Sequence, residues 1–121
     1  MKTKLLVTGI IGVCLIGGCY FLDPCDNEVS KEIPSPDGSL KAVVFSRNCG
    51  ATTGFSTQIS ILRGANATSN DAGNVFVADQ TPVDIKWLSN TRLSIAYLTG
   101  TETFYQMKQL DGVTVTYRDL Y

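Results

Sequence analysis

The side chains able to do chemistry in this chain are few. There are four cysteines, Cys14, Cys19, Cys25 and Cys49, and no histidine. Without His the chain lacks the usual general base near neutral pH and the commonest neutral metal ligand. Serines and threonines are plentiful, but no imidazole stands ready to activate one, and no Ser-x-x-Lys pattern occurs. Asp23, Asp26, Glu28 and Glu32 cluster near the N-terminal third. Glycoside hydrolysis needs two carboxylates facing each other across a cleft at a set separation, and four acids along one segment read more simply as a solvated tether. Asp71, Asp79 and Asp84 lack the spacing of a calcium loop. Gly50 to Gly54 lacks phosphate-loop spacing and leads into a strand pattern, where a phosphate loop would open a helix. Two thiolates fall short of the four ligands zinc takes. The expectation is a protein with no catalytic residues, no metal and no cofactor, and not an enzyme.

The cysteines sort by position. Lys2 and Lys4 precede an uncharged run from Leu5 to Leu22, the layout of a secretory signal. Within it, Ile16-Gly17-Gly18-Cys19 resembles the bacterial lipobox. That resemblance implies a signal peptide over residues 1–18, cleavage before Cys19 and lipidation of Cys19. Cys14, preceded by Val13, fits the pattern badly. The alternative is an uncleaved anchor helix over residues 5–22, at the short end of what spans ~30 Å of hydrocarbon and weakened by its glycines. In both cases the flanking lysines keep the N-terminus cytoplasmic. The body then lies on the periplasmic or extracellular side of a bacterial envelope, with the membrane as its first partner.

Cys25 and Cys49 remain as an even pair in an oxidising setting, where a disulfide is the expected outcome. Two free thiols, or half of a metal site, are the alternatives. A bridge across 24 positions is worth ~3 kcal/mol by loop-closure entropy. The net charge of −1 and pI near 5.2 leave no basic footprint for nucleic acid. Loss of residues 1–18 would remove Lys2 and Lys4 from 10 basic residues against 11 acidic ones, for a net charge of −3.

The rest must be the scaffold, and it reads as strand and turn. Residues 19–28 form a tether, and residues 29–121 a single β domain. Val29 to Ile33 is a weak strand. Ser35-Pro36-Asp37-Gly38 is a turn: Pro presets φ, Asp bonds nearby backbone and Gly takes a positive φ. Leu40 to Arg47 is apolar on both faces at Val43, Val44 and Phe45, which marks a central strand. Phe55 to Leu62 alternates with period 2, placing Phe55, Thr57, Ile59 and Ile61 on one face. Arg63 to Gly73 is a loop, and its Asn66-Ala67-Thr68 matches a glycosylation acceptor only in form. Asn74 to Ala78 is a short strand. Val83, Ile85 and Trp87 oppose Leu93, Ile95 and Tyr97 across a Ser89-Asn90 turn. Phe104 to Leu110 reads as one strand, and Asp111-Gly112 as a hairpin turn into Val113, Val115 and Tyr117. The fold class is all-β: a small antiparallel sandwich or partly closed barrel of about seven to eight short strands after an N-terminal signal or anchor helix. Trp87, Tyr97 and Tyr117 either pack the core or line a groove.

Cys49-Gly50-Ala51-Thr52-Thr53-Gly54-Phe55-Ser56-Thr57-Gln58, with Ser35-Pro36-Asp37-Gly38, Lys41 to Phe45, Gly73 to Ala78 and Trp87, resembles a family of small bacterial envelope proteins carried as a domain of unknown function. The likeness covers about residues 25–98. It implies a secreted or lipid-anchored module and no particular activity. The one loop singled out for recognition is the Cys49–Phe55 connection, where Thr52, Thr53 and Phe55 would be presented on a base pinned by Cys49. The expected role is non-enzymatic binding or support of an envelope protein partner. An envelope-anchored inhibitor or immunity factor against a hydrolase or toxin is the alternative.

Overall fold

A computed structural model describes residues 24–50, 54–64 and 69–121. The signal and anchor segments, Cys19, Thr52, Thr53 and the Asn66-Ala67-Thr68 sequence lie outside the described residues.

Among the described residues nine strands make two sheets. The first sheet runs in the order β1 (Asp26–Pro34), β2 (Leu40–Asn48), β3 (Phe55–Arg63), β4 (Phe76–Asp79), β7 (Thr103–Gln106). The second runs β5 (Val83–Ser89), β6 (Arg92–Tyr97), β9 (Val113–Asp119), β8 (Gln109–Leu110). Neither sheet closes, so the sandwich holds and the barrel does not. β1 starts at Asp26, so three residues expected in the tether are strand.

The strand assignment needs two further corrections. The pairing is mixed: β6 and β9 run parallel, Arg92 opposite Thr114 through Tyr97 opposite Asp119. The single strand expected over Phe104 to Leu110 is two. Met107 N–H donates to Val75 O of the first sheet, while Lys108 O accepts from Val115 N–H of the second. The chain therefore changes sheets between Met107 and Lys108, with no Gly or Pro to announce it. β9 then enters between β6 and β8. Parallel neighbours need a crossover connection, and the excursion through β7 and β8 between β6 and β9 supplies it.

The core lies between the sheets. Leu40, Ala42, Val44, Ile59, Ile61, Phe76 and Ala78 from the first meet Ile85, Leu93, Ile95, Val113 and Val115 from the second. Trp87, Tyr97 and Tyr117 pack against this cluster. Each strand reaches it by period-2 alternation. Tyr97 and Tyr117 flank Phe76 with ring centroids 5.1 and 5.9 Å away. Tyr117 Oη donates to Met107 O at 2.7 Å, and burial pushes its phenol well above the ordinary value, with Tyr97 adding to the shift.

Turns fix the ends. Gly38 N–H closes on Ser35 O at 2.9 Å, and Gly38 sits at φ 74°. Asp37 Oδ1 accepts from Ser39 N–H, Ser39 Oγ and Ser35 Oγ, and the Ser39 amide, then the two hydroxyls, hold its carboxyl below the usual range. Asp111 and Gly112 both have positive φ, 51° and 80°, the primed hairpin turn the sequence predicts.

The outer face of the first sheet is covered as well. Residues 69–74 lie across it, bonded to Asn27 of β1 at one end and to Ile61 of β3 at the other, and Val43, Phe45, Gln58 and Ser60 are buried although they point away from the core. The return of this strap is built into the ladder: the Asn74 side-chain amide accepts from Ile61 N–H and donates to Ile61 O. A Cβ on Gly73 would meet Ile59 O and Phe76 O, both at 2.8 Å, so only glycine fits where this strap re-enters the sheet.

Candidate functional site

The end of the sandwich carrying the cysteines gathers most of the chemistry. Asp26 is opposite Asn48 in the β1–β2 register, so Cys25 and Cys49 occupy the next position along, and they are joined by a disulfide. The bridge clamps the open end of a hairpin whose other end is the Ser35–Gly38 turn. The burial pattern of β1 explains the need: only Asn27 and Ile33 of its nine residues are part-buried, and the rest are exposed. A strand with so little apolar surface to bury gains little from the hydrophobic effect and needs cross-links.

Three side chains add to the clamp. Asn27 Nδ2 donates to Asp71 O and Ser69 O, and Asn27 N–H donates to Asn70 Oδ1. Arg47 Nη1 donates to both Asn27 Oδ1 and Asn70 O at 2.7 Å. Asn70 Nδ2 donates back to Cys25 O. The strap, β1 and β2 are thus tied together beside the disulfide. At the opposite end, Trp87 Nε1 donates to Ile33 O at 2.8 Å and joins β1 to β5 of the second sheet.

A bulge in β1 between Val29 and Lys31 opens the rim, and a cleft of about 450 Å³ lies there. Val44, Ser46 and Thr57 line one side, Thr81, Pro82 and Val83 the other, with Lys31 and Gln80 among the remaining lining residues. Thr57 Oγ1 is committed to Thr81, accepting from its N–H and donating to its O. The lining includes one cation and no carboxylate, so the cleft can take a small group with an acceptor or a negative charge against an apolar floor. No nucleophile paired with a base occurs in it.

The expected recognition loop is described only at its two ends. Gly50 sits at φ 128° and Gly54 at φ 68°, and Asn48 Oδ1 accepts from Gly50 N–H at 3.1 Å. Phe55, opposite Asn48 in the ladder, is half exposed. The disulfide and Phe55 therefore stand at one end of the β2–β3 hairpin. The acids do not converge: Glu32 pairs with Lys41 and Asp84 with Arg118, Asp71 accepts from Ser69 Oγ, and Asp26, Glu28 and Asp79 are exposed. Among the described residues no group of three or more His, Cys, Asp or Glu side chains could hold a metal ion.

Sequence reasoning missed the cleft and the Asn27–Arg47–Asn70 clasp. The cleft lies beside a bulge that leaves no mark in the residue pattern, and the clasp depends on partners 20 or more positions apart. The strap's Ser-Asn-Asp composition was the available signal. The chain matches no family model, no curated protein and no solved structure.

Proposed function

We propose that this chain is a lipid-anchored module of the bacterial cell envelope, with a binding or structural role and no chemistry of its own. The Cys25–Cys49 disulfide carries the reading, because structural disulfides persist in oxidising compartments and are rare in the cytosol. The lipobox-like Ile16-Gly17-Gly18-Cys19 supplies the anchor, and the likeness to small envelope proteins agrees with it. Cys25 follows Cys19 by six positions, so an acylated Cys19 would hold the clamped end within about 20 Å of the bilayer even with the tether extended. The cleft and the Cys49–Phe55 connection would then face the membrane-proximal space. A partner there would be a protein or a small acidic group of the envelope.

The test is the intact mass of the chain purified from membranes, with a non-reducing digest beside it. Loss of residues 1–18 with acyl mass on Cys19 supports the anchor. An unprocessed chain supports the residue 5–22 helix in its place, and an unmodified soluble chain sinks both. An inhibitor or immunity role is the second reading, favoured by the disulfide at the base of the Thr52-Thr53 loop. It requires that Phe55→Ala abolish inhibition of some envelope hydrolase or toxin while leaving the melting temperature in place.

A further inference from the structure

The polar groups around the cleft fall into two sets. Thr57 and Thr81 hold each other, and Thr81 Oγ1 also donates to Pro82 O and accepts from Leu98 N–H. Ser30 Oγ donates to Val44 O at 3.2 Å. These groups fix the walls and have little left to offer a ligand. Lys31, Ser46 and Gln80 line the same cleft. Among the described residues none of their side chains makes a hydrogen bond or an ion pair. They are the polar side chains a ligand can use.

The bulge decides which charge is among them. Ahead of it Glu28 opposes Ser46, beyond it Lys31 opposes Val44, and Ser30 is passed over. Directly opposed residues share a face of the sheet, and Val44 belongs to the core. A regular ladder would set Ser30 opposite Val44 and turn Lys31 to the outer face. The extra residue brings Lys31 to the inner face instead, at the mouth of the opening between the sheets. Bulges re-aim side chains in this way. The same register sets Glu28 beside Ser46, with Cβ atoms about 5 Å apart, yet Glu28 is exposed and outside the lining. The cleft thus has one ammonium on its wall and one carboxylate just beyond its rim, over an apolar floor of Val44, Pro82 and Val83.

We propose that the cleft binds a monocarboxylate carried on a short aliphatic group. This ligand class rests on the reading of the chain as a binding module, and it holds with or without the lipid anchor. Lys31 Nζ donates a charge-assisted hydrogen bond to the carboxylate. The Ser46 hydroxyl and the Gln80 amide donate to its remaining lone pairs, and the aliphatic group lies on Val44, Pro82 and Val83. An apolar floor with a few convergent polar groups is the ordinary makeup of a small-ligand site, and about 450 Å³ falls within the size range of such sites. One ammonium neutralises one negative charge. A second charge on the ligand would sit unpaired near Glu28, so a dicarboxylate is turned away by repulsion. A free aliphatic acid and the C-terminus of a peptide ending in an aliphatic residue share the required chemistry.

The test is an NMR titration of the isotope-labelled full chain in nanodiscs of zwitterionic lipid. The probes are isovalerate, its neutral counterpart isovaleramide, the dianion 3-methylglutarate, and acetyl-Ala-Val as the free acid and as the C-terminal amide. Isovalerate should shift the signals of Lys31, Ser46, Thr81 and Val83 saturably, and isovaleramide should bind about tenfold more weakly. Lys31→Met, at an exposed position, should erase that preference with the melting temperature kept. Glu28→Gln, also exposed, should strengthen 3-methylglutarate several-fold, with a smaller gain for isovalerate. If acetyl-Ala-Val outbinds isovalerate and loses the gain as its amide, the ligand is a peptide C-terminus; if it does not outbind it, the ligand is a free acid. Equal binding of isovalerate and isovaleramide, or a Lys31→Met variant that keeps the preference, overturns the carboxylate and leaves the cleft a binding site. A dianion bound as tightly as isovalerate overturns the limit of one charge. No shift at the cleft with any probe overturns the proposal and removes the cleft from the reading of the chain as a binding module.

Discussion

The β1 margin and the β6–β9 centre belong to one sandwich and are held by different forces. Around β6 and β9, Leu93, Ile95, Ala96, Val113 and Val115 are all buried, and the strands need nothing but burial and a parallel ladder. Along β1 only Ile33 packs against the core. Beyond its ladder with β2, its grip comes from a disulfide, from Asn27 and Arg47 on the strap, from the Glu32–Lys41 ion pair, and from one indole hydrogen bond to Ile33 O. The centre should open only when the whole protein unfolds. The margin should open locally once its few cross-links are cut.

Ile95→Ala is the largest blow to the centre. It should cost about 3–4 kcal/mol, from lost burial and the cavity left behind, and lower the melting temperature with every amide losing protection together. Removing the bridge by Cys25→Ala should cost about 3 kcal/mol, with amide exchange rising first in Asn27 to Ile33 and last in Leu93 to Ala96. Uniform exchange after reduction would break the distinction between the two regions. Asn27→Ala takes from Arg47 one of its two acceptors, leaving Asn70 O, and takes from the Ser69 and Asp71 carbonyls the amide that donates to them. It should cost about 1–2 kcal/mol and loosen residues 69–71 in the same exchange experiment. Trp87→Phe keeps most of the apolar contact and removes one donor, for about 1 kcal/mol; a larger loss would mean the indole packs more than it ties.

The smallest effect is one of pH. The Asp37 carboxylate is favoured in the folded state, so its folded pKa lies below the ordinary 3.8. The stability it adds is present above that value and is lost as pH falls through the lower folded value. Asp37→Ala should remove this slight acid sensitivity from the turn and leave the neutral-pH exchange of β6 and β9 as it was.

The centre was far more legible than the margin. Alternation in Leu93-Ser94-Ile95 and in Val113-Thr114-Val115 gives the core face directly, because burial on one side writes a period of two. The turn residues at 35–38 and 111–112 name their own conformations. The cysteine count led to the bridge. Nothing local, however, distinguishes Val43 and Phe45 buried under a strap from the same residues buried under a second layer of core. The change of sheet at Met107 and Lys108 is silent for a similar reason: an extended chain can continue in either sheet with the same φ and ψ. The cleft, the clasp and the parallel pairing all arise from such long-range choices. The candidate site, lying at the margin, was therefore visible only through its cysteines and Phe55.

The parallel pair has a further consequence, for the order of events. β9 follows the other three strands of the second sheet along the chain, yet it sits inside that sheet, with β6 on one flank and β8 on the other. Until residues 113–119 arrive, β6 has one bare flank and the apolar faces of Leu93 and Ile95 have no completed sheet around them. The nascent chain can close its β1–β2 hairpin early, but the second layer waits for residues 113–119. For as long as β9 is missing, the second layer is therefore a thread with no sheet to join.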